Sequence, residues 1–382
     1  MAQTVKMGVI GIGNMGSAHA QHIAGGEIPG MELTAVADRS EARRQWAKEN
    51  LPASVKIFCE GSELIESGAC EAVEIATPHY QHPELSIMAM EHGMHVMCEK
   101  PAGVYTKQVR EMNEKAAQCD VVFGMMFNQR TNCVYRKMHE LVHGGTLGTI
   151  KRVNWIITDW YRTQAYYDSG SWRATWAGEG GGVLLNQCPH NLDLMQWICG
   201  MPLKVRAFCH IGKWHNIEVE DDVTAYLEFP NGATGVFVTT TGDAPGTNRF
   251  EITLEKGKLV CENDVLTLTE LAESERTFCF TCPEGFKQPD KKTMTVETDG
   301  RNPQHNGVLE AFAGRILHGT PLVAEGVEGI NGLTLSNAIH LSSWLDKTIE
   351  LPIDEDLFLE ELNKRRATSK VKTGEDKVFD LA

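Results

Sequence analysis

A glycine-rich turn constrains the fold of this chain more than any other feature of its sequence. Residues 5–10 are apolar enough for a buried strand, and Gly11, Gly13 and Gly16 follow as G-x-G-x-x-G before a helix predicted over about residues 17–24. The first glycine permits a tight turn, the second lets the backbone approach a pyrophosphate, and the third allows close helix packing. The turn therefore predicts a dinucleotide-binding βα unit, with a glycine turn that binds no ligand as the alternative.

The next strand supports this interpretation and bears on the choice of cofactor. It covers residues 33–37 and ends at Asp38, about twenty residues beyond the glycines, where a carboxylate can bind ribose hydroxyls. Because the charge of Asp38 would repel a 2′-phosphate, the sequence favours NAD. Arg39 would attract the same phosphate, which leaves NADP open.

Strands and helices continue to alternate as far as residue 126. Short apolar runs at residues 55–58, 72–76, 94–98 and 121–125 are separated by segments of helical length. This order is typical of an α/β Rossmann domain with a doubly wound parallel sheet, which we assign to residues 1–126. Ligands of such sheets bind at the carboxyl ends of the strands, and the candidate residues at those ends are Thr77, His79, His82 and Lys100.

Beyond residue 126 the pattern changes from alternation to successive strands. These strands are predicted at residues 151–158, 204–210, 223–229, 233–240, 249–255 and 259–262. Asn231-Gly232 lies between two of them and is typical of a hairpin turn. Short links of this kind predict a large, mostly antiparallel sheet, so residues 127–382 are assigned to an α+β domain for substrate binding and oligomerisation. The polar, lysine-rich stretch from Ser369 onward is predicted to be a loosely held arm.

Composition argues against several classes of function. The 382 residues carry a formal net charge of −15, which argues against a nucleic-acid or anionic-membrane partner. No apolar run reaches the roughly 20 residues of a membrane span, and no signal-peptide pattern opens the chain, so we expect a cytoplasmic protein. The 11 scattered cysteines fit reduced thiols there, and Cys279 and Cys282 are predicted to lie half-buried on a strand. No metal site is predicted, because the histidines are dispersed.

The run Glu99-Lys100-Pro101 supplies the candidate for proton transfer. Oxidation of a secondary alcohol needs a hydride acceptor and a base for the hydroxyl proton. A free lysine titrates at about 10.4, but burial and a positive nicotinamide ring would both disfavour the ammonium and bring the pKa of Lys100 to about 7–8. Glu99 is assigned to orientation or local structure. An ordinary surface lysine before a proline is the alternative interpretation.

A second group of candidates surrounds the glycine triplet at residues 180–182. Seven Trp and Tyr residues lie between residues 155 and 176, with charged side chains among them, and aromatic faces beside hydrogen-bonding groups suit a sugar ring. Asn186 and His190 follow the triplet at i,i+4 spacing and would share one face of a helix, although the proline between them would delay that helix. The alternatives are aromatic packing under the second domain and a structural histidine.

In this order the motifs resemble those of the glucose-fructose oxidoreductase / inositol dehydrogenase / rhizopine-catabolism (Gfo/Idh/MocA) family of NAD(P)-dependent sugar and polyol oxidoreductases. The motifs that carry the likeness are Gly11 to Gly16, Ala76-Thr77-Pro78 with His82, Glu99-Lys100-Pro101, and the glycine triplet with His190. The resemblance implies that Trp172 and Arg173 line the active site and that subunits associate as a homodimer or homotetramer. The family commonly has an aspartate at the position of Asn186, so this chain carries an amide in place of an acid.

The residues and the resemblance together predict an NAD(P)-dependent dehydrogenase acting on a secondary hydroxyl of a sugar, inositol, other polyol or glycoside. Lys100 and His190 are predicted to share the acid/base work, with Asn186 orienting them. The predicted cofactor-binding residues are Gly11, Gly13, Asn14, Met15, Gly16, Asp38, Arg39, Thr77, His79, His82, Glu99, Lys100 and Asn128. The predicted substrate-binding residues are Lys100, Trp160, Tyr161, Trp172, Arg173, Asn186 and His190. Two alternatives stay open, an enzyme that oxidises a glycoside transiently in order to cleave it, and a non-catalytic NAD-binding interaction protein.

Overall fold

The first part of the chain forms a six-stranded parallel sheet. The structure, a computed structural model, describes residues 3–370 and residue 372. The strands of this sheet are β1 (Val5–Ile10), β2 (Met31–Ala37), β3 (Lys56–Phe58), β4 (Ala72–Ile75), β5 (His95–Cys98) and β6 (Phe123–Met125). They lie in the order β3-β2-β1-β4-β5-β6. The chain adds strands outward on one side of β1 and then, from β4, on its other side. The predicted doubly wound Rossmann sheet is therefore confirmed.

Helices cover both faces of this sheet, which explains why its central strands are mostly apolar. They are α1 (Asn14–Ala24), α2 (Glu41–Asn50), α3 (Gly61–Glu66), α4 (Gln81–Glu91) and α5 (Thr106–Ala116). Val9 and Ile10 point to opposite faces, and each enters a different apolar cluster. The carboxyl ends of the strands stay free of these helices and form the edge at which the predicted cofactor residues gather.

A nine-stranded mixed sheet forms the second part of the structure. Its strands are β7 (Ile150–Ile157), β8 (Lys204–Ile211), β9 (Glu220–Glu228), β10 (Thr234–Thr240), β11 (Asn248–Leu254), β12 (Gly257–Glu262), β13 (Val265–Leu271), β14 (Lys291–Thr295) and β15 (Ile349–Glu350). Their order is β14-β13-β12-β11-β7-β10-β9-β8-β15, and only β7 and β10 pair in parallel. The predicted hairpin joins β9 to β10, with Gly232 at a φ of +80°. The mostly antiparallel α+β class is confirmed.

The described chain beyond residue 126 also forms helices, which do not all pack on the nine-stranded sheet. They are α6 (Cys133–His143), α7 (Gln164–Tyr167), α8 (Pro189–Cys199), α9 (Glu275–Thr281), α10 (Gln304–His318), α11 (Gly329–Leu345) and α12 (Glu355–Arg366), with 3₁₀ turns at Asn128–Thr131 and Gly326–Glu328. Helix α11 packs on β8 and on α8. On the opposite face of β8 and β9, Phe208 is 52% exposed and Tyr226 is 41% exposed. This open face therefore exposes two large aromatic side chains.

Helix α10 packs against the first sheet although it lies late in the chain. Val308, Leu309 and Phe312 are buried in the same apolar cluster as Val5 and Met7 of β1. The apolar core on this side of the first sheet is therefore completed by a helix from much later in the sequence. The domain boundary between residues 126 and 127 stays a prediction.

One local prediction is wrong, and a second is contradicted at the few of its residues that the structure describes. Cys279 and Cys282 do not lie on a strand, because helix α9 spans Glu275–Thr281, with Cys279 exposed on it and Cys282 directly after it. The arm is not loosely held where the structure describes it, since Ser369 bonds to Glu218, and Lys372 donates to the backbone carbonyl oxygen of Arg173 at 2.8 Å. The rest of the arm lies outside the described residues. Within residues 3–370 and 372, none of the helices combines the length and apolar character that crossing a bilayer requires.

Candidate active site

The glycine turn between β1 and α1 is closely packed on one side and open on the other. Gly11 has a φ of +88°, in the left-handed region that favours glycine. A Cβ on Gly16 would lie 1.9 Å from the carbonyl oxygen of Gly11, so the helix can pack this closely only with glycine at that position. A Cβ on Gly13 would meet no atom of the described residues within 4 Å. The open side has room for a pyrophosphate, and it lies where Asn14 and Met15 begin helix α1.

Asp38 braces the glycine turn from the end of β2. One carboxylate oxygen accepts the backbone N–H of Ile12 at 2.9 Å, and the other accepts the N–H of Ser40 at 2.8 Å. Arg39 pairs with Glu60 at 2.7 Å on the surface. The negative charge of Asp38 therefore stays beside the turn, while the neighbouring guanidinium already has a carboxylate partner.

The residues at the end of β4 hold two loops together. The ring nitrogens of His82 each lie 2.7 Å from a backbone carbonyl oxygen, one of Thr77 and one of Pro101. The Nδ1 of His79 lies 3.2 Å from the carbonyl oxygen of Glu179, and burial lowers the pKa of His79 well below its usual value. The Thr77 hydroxyl is buried without a partner among the described residues. His82 thus ties the strand-end loops to each other, and Thr77 keeps an unused hydroxyl at that edge.

A buried charged cluster lies next to the catalytic candidate Lys100. His19 of α1 is hydrogen-bonded to Glu74, and its other ring nitrogen lies 3.8 Å from a carboxylate oxygen of Glu99. Burial disfavours the imidazolium, but these carboxylates outweigh it and raise the pKa of His19 to about 9. Possible ligand atoms of His19, Glu99 and His305 all lie within 4.8 Å of one another, a spacing that suits a metal ion. A protonated His19 balances carboxylate charge without an ion, and the absence of a metal stays a prediction.

Lys100 follows β5 and reaches the loop after the glycine triplet. Its Nζ donates to the backbone carbonyl oxygen of Asn186 at 3.0 Å, the one hydrogen bond that this amine makes among the described residues. Burial lowers the pKa of Lys100, the carboxylates of Glu99 and Glu179 oppose that change, and Arg173 adds to it. The direction is the one expected from the sequence, and the protein produces it before any cofactor charge is considered.

His190 lies in the first turn of α8, and Asn186 lies before that helix. Pro189 occupies the first helical position, so the predicted helical face shared by Asn186 and His190 does not form. His190 is buried, and its Nδ1 has no partner within the described part of the chain. Burial, and then the charge of Lys100, lower the pKa of His190 well below its usual value. The imidazole is therefore neutral, with one nitrogen available to a ligand.

The aromatic segment divides between the core and the site. Trp155, Tyr167 and Trp176 are buried, and Trp155 stacks on Phe250 with ring centres 4.0 Å apart. These rings stabilise the second domain and contribute no face to a ligand. For these three rings the alternative interpretation, aromatic packing within the second domain, is correct.

The remaining aromatics gather around Arg173. Its guanidinium carbon lies 4.8 Å from the ring centre of Tyr166 and 4.7 Å from that of Trp172. The Trp172 ring meets the ring of His79 edge-on at 5.6 Å, which brings this group to the end of β4. Tyr166 had not been predicted as a site residue. The group offers aromatic faces and a cation on one side of the site.

Two other predicted substrate residues, Trp160 and Tyr161, lie earlier in this segment. Trp160 is half-buried and donates from its indole nitrogen to Asn191 at 3.2 Å. Tyr161 is 48% exposed, so its ring faces water. Asn128, predicted to bind the cofactor, donates to Gln304 of α10 and keeps a buried amide oxygen without a partner in the described ranges.

Several residues of the site escaped prediction from the sequence. They are His19, Glu74, Tyr166, Glu179 and His305. His19 carried a usable signal, because it lies one helical turn after Gly16 on the buried side of α1. Glu179 also carried a signal, because it directly precedes the glycine triplet in the sequence. His305 reaches the cluster from α10, with its ring centre 5.2 Å from that of His19, and no local pattern marks it.

Comparison with known families agrees with this geometry. Residues 5–127 match the oxidoreductase family model with an NAD-binding Rossmann fold. Residues 135–260 match the GFO/IDH/MocA C-terminal domain, and the two matches together cover more than half of the chain. The chain belongs to the GFO/IDH/MocA family. The predicted family is thereby confirmed, and this GFO/IDH/MocA member is an enzyme, an oxidoreductase with an NAD-binding Rossmann domain.

Relatives of this GFO/IDH/MocA enzyme extend over most of its length. Myo-inositol 2-dehydrogenase of Thermotoga maritima is 28% identical over 355 residues, which cover 91% of this chain and 98% of that protein. Levoglucosan dehydrogenase of Pseudarthrobacter phenanthrenivorans is 26% identical over 296 residues, covering 68% and 73% of the two chains. The structure of the WlbA dehydrogenase from Bordetella pertussis with NADH and UDP-GlcNAcA has a TM-score of 0.77 at 24% identity, covering 92% of this chain and all of that one. This last likeness shows the common fold.

Proposed function

We propose that this enzyme is an NAD-dependent dehydrogenase that moves a hydride between nicotinamide and a secondary hydroxyl of a sugar, inositol, other polyol or glycoside. The observation that carries the proposal is the half-buried amine of Lys100, whose pKa burial lowers, at the carboxyl edge of the parallel sheet. The neutral imidazole of His190 is close enough for the charge of Lys100 to lower its pKa. Relatives named as inositol and levoglucosan dehydrogenases support the substrate class.

The cofactor site has features that fit NAD. The open side of Gly13 would admit the pyrophosphate, and the half-buried carboxylate of Asp38 would bind ribose hydroxyls and repel a 2′-phosphate. Thr77 and Asn128 each keep a buried oxygen that could serve the nicotinamide half. When bound, NAD supplies the hydride acceptor.

In the proposed reaction Lys100 is the base for alcohol oxidation. As a neutral amine it donates one hydrogen bond to the carbonyl of Asn186 and keeps a lone pair for the hydroxyl proton. The substrate loses that proton to Lys100 and its carbinol hydrogen as hydride, which leaves a ketone. His190, neutral because of its lowered pKa, orients the hydroxyl as a hydrogen-bond partner. Trp172 and Arg173 hold the ring and hydroxyls of the substrate on the other side.

We also propose a cellular compartment and an oligomeric state for the enzyme. All 11 cysteines are free thiols, which supports the cytoplasm as its compartment. The exposed Phe208 and Tyr226 on the open face of the nine-stranded sheet support association into a homodimer or homotetramer through that face. We propose that the enzyme binds neither nucleic acid nor a membrane surface, because its net charge of −15 would repel both.

The test is a panel of sugars, inositols and other polyols, read by NADH absorbance. We expect one NADH for each substrate molecule oxidised. Lys100→Met should lower kcat/KM by about 10²–10⁴-fold, because a positioned base contributes that much, while NADH binding measured by fluorescence is retained. Lys107→Met is a control on an exposed lysine that pairs with Asp356. Product without net NADH would favour transient oxidation, and full activity of Lys100→Met would contradict the role of the lysine.

A further inference from the structure

Glu179 is a buried carboxylate that the proposed mechanism has not yet used. It is 2% exposed and directly precedes the glycine triplet. One carboxylate oxygen accepts the side-chain amide N–H of Asn186, and the other accepts the backbone N–H of Ala174 at 2.5 Å. Both partners are N–H donors, so this geometry suits an ionised carboxylate and gives a protonated one no acceptor. Burial raises the pKa of Glu179, and Arg173 opposes that change.

The bond to Ala174 fixes a strained turn in the segment of residues 167–188, which we call the substrate loop. Ala174 has a φ of +53°, in the left-handed region that residues other than glycine seldom adopt. The Glu179 carboxylate holds this conformation through the backbone N–H. Arg173, the preceding residue, is thereby held between its two aromatic neighbours. The position of the substrate-facing guanidinium depends on Glu179.

The bond to Asn186 connects the same carboxylate to the catalytic amine. The backbone carbonyl oxygen of Asn186 accepts the Nζ of Lys100 at 3.0 Å, and its side-chain oxygen accepts the hydroxyl of Tyr166 at 3.4 Å. Glu179 therefore holds the side chain of Asn186, and the backbone carbonyl of the same residue is the acceptor for Lys100. Glu179 also opposes the lowering of the Lys100 pKa.

We propose that Glu179 is a positioning residue for the acid/base step, which holds Asn186 and the Arg173–Ala174 turn around Lys100 and supplies a fixed negative charge to that site. This inference rests on the proposed function for its catalytic meaning. The sequence has an amide at position 186, and the carboxylate comes from Glu179, seven residues earlier in the chain.

The sign of the expected effect follows from the charges around Lys100. The groups that face it are the carboxylates of Glu99 and Glu179, the guanidinium groups of Arg162 and Arg173, and the histidines at positions 79, 82, 190 and 305. Glu179 itself is faced by Arg173, Asn186 and Glu220, with Lys372, Tyr166 and Tyr167 also within its influence. Replacing Glu179 by Gln leaves Glu99 as the one carboxylate against two guanidinium groups. The ammonium form of Lys100 is then less stable, so its pKa falls further.

The experiment measures the protonation of Lys100 directly and needs no turnover. Wild type and Glu179→Gln are labelled with trace acetic anhydride across a range of pH, and acetylation of the Lys100 peptide is quantified by mass spectrometry. We expect the midpoint of Lys100 reactivity to move to lower pH by about one unit, since a nearby charge shifts a pKa by about 1–3 units. The rise of kcat/KM with pH should move in the same direction, with a lower kcat. Absence of dehydrogenase activity would contradict the proposed function alone, because the labelling result stands without it.

Two further variants keep the result interpretable. Glu220→Gln is the matched control, because Glu220 is also fully buried and accepts the N–H groups of Gly182 and Leu184 in the same loop, at 2.8 and 3.1 Å. Glu179→Gln is also made with Ala174→Gly, since glycine adopts the left-handed conformation without help and protects the fold. An unchanged Lys100 midpoint in a folded Gln variant would overturn the proposal. So would an equal shift in Glu220→Gln, which would mean that any disturbance of the loop suffices.

Discussion

Substitution of Asp38 should separate two contributions of its carboxylate, a negative charge and a brace for the glycine turn. Asp38→Asn removes the charge but keeps an oxygen that can accept the Ile12 N–H, the bond that measures 2.9 Å in the structure. Asp38→Ser removes the charge and also shortens the side chain so that this bond is lost. We therefore expect the two variants to differ in cofactor affinity but to agree in cofactor preference.

The magnitudes follow from the geometry. A hydrogen bond to a charged group contributes about 1.5–3 kcal/mol, and the partly exposed position of Asp38 places this bond at the lower end. Loss of the bond to Ile12 in Asp38→Ser should thus contribute a roughly tenfold weakening to the binding of both NAD and NADP. Loss of a like charge beside the 2′-phosphate should favour NADP by about 1–2 kcal/mol, or roughly 5- to 30-fold in the ratio of kcat/KM values. Arg39 can add to this, because its pair with Glu60 lies on the surface and costs little to open.

The assay compares kcat/KM for both cofactors at one substrate concentration and about 0.1 M salt, with Kd values for NADH and NADPH from fluorescence. Higher salt should reduce the change in preference, since it screens the charge that Asp38 carries. A wild type that already prefers NADP would refute the interpretation of Asp38. An Asp38→Asn variant with the wild-type ratio would show that its charge does not select the cofactor.

Three further outcomes are expected. Asn186→Asp replaces the amide that donates to Glu179 by a carboxyl, and the negative charge gained should raise the pKa of Lys100 and move the rise of kcat/KM for alcohol oxidation to higher pH by up to about one unit. Superimposable profiles would mean that the new carboxyl stays protonated against Glu179 and adds no charge near Lys100. Asp193→Asn removes one of the two carboxylates that Arg130 contacts at 2.7 Å, while Glu328 keeps the other contact. The free energy of unfolding in denaturant should therefore fall by about 1.5–3 kcal/mol, and a loss below about 1 kcal/mol would mean that the buried pair contributes no more than a surface ion pair. Light scattering should give a dimer or tetramer at micromolar concentration, and Phe208→Glu should shift it towards monomer; a monomeric wild type would exclude the open sheet face as an interface.

The parts of the site that depend on contiguous sequence were predictable. The glycine turn, Asp38 and Lys100 each take their meaning from a strand followed by a turn, and that order is visible in the sequence itself. The doubly wound sheet followed for the same reason, because apolar strands alternated with segments of helical length.

The remaining parts depend on contacts that sequence order does not reveal. Glu179 becomes part of the site only because the loop brings it to Ala174 and Asn186, and His305 arrives from α10. The segment around Cys279 forms helix α9 and not the predicted strand, although Ser274 at its start makes no side-chain capping bond.

The anchoring of the late segment at Ser369 and Lys372 has a consequence for the order in which the enzyme becomes complete during its synthesis. Lys372 donates to the backbone carbonyl oxygens of Tyr167 and Arg173, at 3.0 and 2.8 Å, so two bonds of the substrate loop come from residues made much later. At about 5–20 residues per second, Arg173 is synthesised roughly 10–40 s before Lys372. A nascent chain therefore has Lys100 and His190 well before its substrate loop gains these two bonds. A chain released before Lys372 would keep the proposed catalytic pair beside a loop held by Glu179 without them.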